Sequence, residues 1–217
     1  MKILELEILS DNLAETERFY KNVLGLKPYH KDDASTIIFK AGYTSLVFRK
    51  SENLKPVYHF AFDVPNNRFY EAYETIKAKT PVILIQDGQD IADFTNWDAR
   101  SFYFYDNNGN IVEIITRYAN KVFAGKPFGA SNIICVSEIG LVIGKVPQFA
   151  DMLYNKFGVP IFHRQPRSEK FTVSGDDDGL FILAESGRNW YPTQVKAYSY
   201  RTRILFINNG AVGQFIK

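Results

Sequence analysis

The sequence predicts an α+β protein of tandem βαβββ modules, its sheets curved into a cup with the helices outside. Three observations predict it. Apolar residues alternate in short runs, an amphipathic stretch follows the first run of each unit, and that order recurs along the 217 residues.

The first unit opens on "ILELEIL", with Leu4, Leu6 and Ile8 on one face and Glu5 and Glu7 on the other, the pattern of a half-buried strand. "DNLAETERFYKNVLGLKP" follows as a helix. Asn12 is its N-cap with Glu15 three residues later, Leu13, Tyr20, Val23 and Leu24 form its apolar stripe, and Gly25 and Pro28 mark its end. "STIIFKAGYTSLVFRK" then gives two strands about Gly42. The second unit repeats the order: "VYHFAFDV" as strand, "NNRFYEAYETIKAKT" as helix, and "PVILIQD", "SFYFYD" and "NIVEIITR" as strands, the last two joined by the "DNNGN" turn.

A third start is "VSEIGLVIGKVPQFADMLYNKFGVPIFH". Glu138 minus Glu5, and His163 minus His30, are both 133. Pro147 suits the first turn of its helix, where a missing N–H costs nothing. "EKFTVSGDDDGLFILAE" reads as a hairpin and "YRTRILFINNG" as the opening strand of an unfinished fourth unit. The expected division is paired modules over 1–118 forming the cup, a linker over 119–131, and a third module with an incomplete fourth over 132–217.

With 26 basic and 24 acidic residues the charge is near balance and no basic cluster stands out, so neither nucleic acid nor an anionic membrane surface is an expected partner. No uncharged apolar run reaches the roughly 20 residues of a membrane span. Glu5 and Glu7 interrupt the apolar core that a signal peptide needs, and the single Cys135 suits a reducing compartment, so the expected location is cytoplasmic.

Side-chain direction selects the candidate chemistry. With Phe60, Phe62 and Val64 packed in the core, His59 faces the cup; with Val112 and Ile114 packed in the core, so does Glu113. Glu5 points the same way from the first strand. Charges on half-buried strands are costly unless paired or coordinated, and one imidazole with two carboxylates suits one divalent ion such as Zn, Mn, Fe or Ni. Arg100, Tyr103 and Trp97, on or just before a cup strand, are candidate substrate-binding residues. Glu138 repeats the position of Glu5, but no histidine opens "YRTRILFIN", so a second metal site there is not expected.

The stretches "NLAETERFYKNVLGLKP", "YHFAFDVPN" and "RSFYFYDNNGNIVEI" together resemble the vicinal-oxygen-chelate superfamily of glyoxalase I, fosfomycin-resistance thiol transferases, extradiol dioxygenases and bleomycin-binding proteins. The resemblance spans residues 1–117, and 131–207 more weakly. It implies paired modules with metal ligands at Glu5, His59 and Glu113. It also implies Lewis-acid chemistry on a small oxygenated substrate chelated through neighbouring oxygens, with Glu113 or Glu5 moving a proton. This chain departs from the family in carrying Glu5 where His or Gln is usual, and Leu46 and Phe48 where glyoxalases hold a fourth, carboxylate ligand. The rival expectation is a metal-free aromatic cup that sequesters a small molecule, as bleomycin-binding relatives do. A truncated last sheet leaves an unpaired edge, which makes a homodimer an expected way to cover it.

Overall fold

The computed structural model describes residues 1–32, 34–86 and 88–217. The first module is β1 (Lys2–Ser10), α1 (Leu13–Val23), β2 (Pro28–Asp32), β3 (Thr36–Ala41) and β4 (Thr44–Lys50). The second is β5 (His59–Asp63), α2 (Phe69–Lys77), β6 (Ala92–Phe94), β7 (Ala99–Tyr105) and β8 (Ile111–Arg117). The third is β9 (Cys135–Val142), α3 (Val146–Phe157), β10 (Phe171–Asp176) and β11 (Gly179–Ala184), and the fourth is only the hairpin β12 (Arg203–Asn208) and β13 (Ala211–Ile216). No helix among the described residues is long and apolar enough to cross a membrane.

Local chemistry explains most boundaries. The Asn12 side chain accepts from the Glu15 amide at 3.1 Å and starts α1, which buries Leu13, Thr16, Tyr20 and Val23. Pro147 sits in the first turn of α3. The strand expected over 81–87 is reduced to a single bridge between Val82 and Phe104, and its last residue lies outside the described residues. Pro81 has no N–H to donate, and the edge position passes to β6, which pairs with β7. In β1 the alternation is broken by a register shift between Ile3 and Glu5, so Ile3 rather than Leu4 joins Leu6 and Ile8 in the core.

The sheets pair the modules differently from the expected order. One sheet runs β13-β12-β1-β4-β3-β2 and the other β10-β11-β9-β5-β8-β7-β6. The first module is therefore completed by the fourth-unit hairpin, and the second shares its sheet with the third. Each pair meets on an antiparallel seam, Glu7 opposite Arg203 on β1 and β12, and Ala61 opposite Glu138 on β5 and β9.

Cross-strand charge complementarity marks the first seam. Glu7, fully buried, accepts from Arg49 Nε at 2.7 Å, Arg201 Nη1 at 2.5 Å and Arg203 Nη2 at 3.0 Å, and Glu5 is ion-paired with Arg203. Burial pushes the Glu7 carboxyl up, but hydrogen bonds from Arg201, Arg49 and Arg203 outweigh it and hold it down at about 2 against an ordinary 4.5. A depressed carboxyl stabilises the fold above its unfolded value, and the contribution disappears as pH falls from 4.5 to about 2. We expect the protein to lose about 2 kcal/mol across that window, at roughly 1.4 kcal/mol per unit less screening by solvent at the half-exposed arginines. Urea denaturation at a series of pH values, compared with Glu7→Gln, checks this: the variant should lack that part of the slope, and parallel curves would refute it.

Candidate metal centre and substrate cavity

The second sheet carries the buried chemistry. On β5, Phe60 and Phe62 enter the core while His59, Ala61 and Asp63 face the concave side; on β8, Val112 and Ile114 enter the core while Glu113, Ile115 and Arg117 face the concave side. On β9 the register slips between its pairings with Ala61 and Phe62, which sets Glu138 opposite Ala61. Ligand atoms of His59, Glu113 and Glu138 all lie within 4.8 Å of one another, and all three residues are buried.

His59 Nδ1 lies 3.1 Å from the Ile111 carbonyl oxygen. A carbonyl only accepts, so that contact puts the ring proton on Nδ1 and leaves the Nε2 lone pair free. Nε2 stands 3.5 Å from Glu113 Oε2. A lone pair facing a carboxylate is repulsive unless a proton or a cation lies between them. Burial pushes the imidazole down, away from the protonated form. Glu113 Oε1 accepts from Tyr103 Oη at 3.1 Å, and Tyr103 Oη in turn accepts from Ser101 Oγ at 3.0 Å, which fixes the carboxylate plane.

Glu138 accepts from Arg117 Nη2, and Arg117 Nη1 donates to Ser137 Oγ at 3.1 Å. Arg117 is 1 % exposed and its Nε has no hydrogen-bond partner among the described residues. Burial pushes Glu113 and Glu138 each up to about 7 and Asp63 up to about 6, with Arg117 opposing the shift in each. Three ionised carboxylates against one guanidinium leave an excess of two negative charges. Protons or one divalent cation remove it, and the donor set of one neutral imidazole nitrogen and two carboxylates fits such a cation.

Above these residues lies a cavity of about 250 Å³. Trp97 and Phe94 wall one side, Tyr103 and Phe171 flank it, and Trp190 and Tyr191 close it from the chain between β11 and β12. The Trp190 ring lies 5.5 Å from the His59 ring. It fits there because residue 140 is glycine: a Cβ at Gly140 would sit 2.6 Å from the indole.

No protein-family model matches the chain, and no curated protein matches it. Solved structures do. The chain is similar to a putative dioxygenase from Bacillus subtilis, with TM-score 0.61 and 18% identity over 100% of this chain and 84% of that one. It is similar to glyoxalase I from Zea mays, with TM-score 0.56 and 15% identity over 90% of this chain and 70% of that one. The chain has the vicinal-oxygen-chelate fold.

Within that fold the structure brings together some of the expected residues and separates others. His59 and Glu113 meet, and Tyr103 and Trp97 line the cavity. Glu5 does not join them. It stands on the other sheet, paired with Arg203, and the place expected for it is taken by Glu138, its equivalent in the third module. Arg100 is also elsewhere: its Nε donates to Asp93 at 2.9 Å and its Nη1 to Tyr70 Oη at 2.7 Å. Arg117 was not singled out in the sequence, although it shares a strand face with Glu113.

Proposed function

We propose that this is a metal-dependent enzyme of the glyoxalase and dioxygenase type, in which His59, Glu113 and Glu138 hold one divalent cation. The observation that carries the reading is the convergence of these three buried ligand atoms at the floor of an aromatic cavity. A cation held there supplies Lewis acidity toward neighbouring oxygens of a small organic substrate. The residues of the chain do the rest. Glu113, oriented by the hydrogen bond from Tyr103, would be the group of this chain that takes up a proton from the substrate. Trp190, Tyr191 and Trp97 exclude water and clamp an apolar body. Glu5, the other candidate for proton transfer, has no access to this cavity from its place beside Arg203. Because the second and third modules of one chain build the whole cup, no second copy is needed to complete it.

One observation favours the second reading, a metal-free binder: Glu138 already has a cation, Arg117. Elemental analysis of protein purified without chelator and reconstituted with Zn, Mn, Fe or Ni separates the two. We expect near-stoichiometric metal in wild type and in Glu5→Gln, and almost none in His59→Ala or Glu138→Gln. Equal, low metal in all four proteins would give the site to the binder.

A further inference from the structure

The chain between β11 and β12 carries a cation that the metal reading does not use. Arg188 lines the cavity and is exposed at its mouth, where its guanidinium stacks on the Phe171 ring at 4.2 Å. Neighbouring arginines are spoken for: Arg117 by Glu138, Arg164 by Asp177, Arg100 by Asp93. No carboxylate among the described residues is paired with Arg188. Its backbone is nevertheless fixed. The Ala197 amide donates to the Arg188 carbonyl at 2.7 Å, and Trp190 N donates to Val195 O at 2.9 Å, so these residues fold back as a short ladder.

We propose that Arg188 anchors an anionic group of the substrate, so that the cavity takes a small flat molecule with a carboxylate or phosphate-like group at one end and metal-directed oxygens at the other. Stacking on Phe171 covers a face of the guanidinium and leaves its N–H edges free in the plane, the geometry that grips a carboxylate through two hydrogen bonds. The polarity of the cavity sets the direction. The floor ligands His59, Glu113 and Glu138 suit the metal-directed oxygens and Arg188 offers its cation at the mouth, while the aromatic walls between the two ends suit a flat apolar body. Beside Arg188, Asn189 Nδ2 donates to Gln194 Oε1 at 2.6 Å, and the buried Asn189 Oδ1 has no partner among the described residues.

The oxygen end of this assignment rests on the metal reading; the Arg188 end does not, and the test keeps them apart. Both tryptophans of the chain, Trp97 and Trp190, line the cavity, so intrinsic fluorescence reports occupancy. The probes are 3,4-dihydroxyphenylacetate and its neutral methyl ester, titrated into metal-loaded wild type, into metal-loaded Arg188→Gln, and into His59→Ala, which is expected to hold almost no metal. In wild type the acid should bind about tenfold or more tightly than the ester, as a charge-assisted pair predicts. In Arg188→Gln the ester should bind as before and the acid should fall to within about twofold of it. In His59→Ala both should weaken while their ratio persists. If the ratio follows Arg188 but His59→Ala changes neither probe, the anchor stands and the metal reading fails. An acid no tighter than the ester in wild type, absence of quenching by either, or a ratio that survives in Arg188→Gln overturns the proposal.

Discussion

Arg117→Met is expected to lose about 3–5 kcal/mol of stability in metal-free protein, the usual cost of stripping one partner from a buried ion pair. The side chains of Arg117 and Glu138 are 1% and 4% exposed, so water cannot replace the lost cation. Methionine fills much of the same volume, so the loss reports charge rather than a cavity. Glu113 and Asp63 also face this guanidinium and lose its field at the same time. The variant has a second expected property. Without the guanidinium, Glu138 offers both oxygens and the site carries one more uncompensated negative charge, so a divalent cation should bind more tightly and recover much of the lost stability. Urea melts of both proteins, with and without added Zn or Mn, measure both effects. A metal-free variant as stable as wild type would show that Glu138 does not depend on Arg117, and stability unmoved by metal would place the cation elsewhere.

Much of the fold was legible from periodicity. The alternation in β5 and β8 put His59 and Glu113 on the concave side, where they are, because one buried face forces the register of a strand. The repeat offset of 133 identified Glu138 as the equivalent of Glu5. What periodicity leaves open is which module lies beside which, since repeated strands present nearly the same pattern. The deciding signal was electrostatic and was present in the chain. Arg201 and Arg203 alternate with the same period as Glu5 and Glu7, and opposite charges on neighbouring antiparallel strands favour that pairing. Once β12 takes β1, the third module is left to complete the second, and Glu138 reaches His59. Arg117 was hidden for a related reason: at the end of "NIVEIITR" it looks like a solvated strand terminus, yet it is buried where its guanidinium reaches across β5 to Ser137 and Glu138 of β9.

The other large expected effect is at Gly42→Ala, which should cost about 3 kcal/mol or more by combining backbone strain with a steric overlap that no side chain can relieve. Gly42 turns the β3–β4 hairpin at φ +57, and a Cβ there would lie 1.9 Å from the Ile134 carbonyl oxygen and 2.5 Å from that of Ile133. Both are backbone atoms just ahead of β9. The approach is close because the turn is bonded to that segment: Tyr43 N donates to Ile134 O at 3.1 Å, and Thr44 Oγ1 accepts from Val136 N at 3.0 Å while donating to Ile3 O at 2.7 Å. The hairpin thus ties the first sheet to the strand that carries Glu138. Gly109→Ala is the control, since Gly109 has φ +77 and nothing within 4 Å of the added carbon. It should lose only the left-handed penalty, about 1 kcal/mol. Denaturant midpoints of the two variants decide the matter: equal losses would mean that the contact with Ile134 yields at no cost. If the contact resists, folded Gly42→Ala should also bind divalent metal more weakly than Gly109→Ala, because shifting the entry to β9 shifts Glu138 relative to His59 and Glu113.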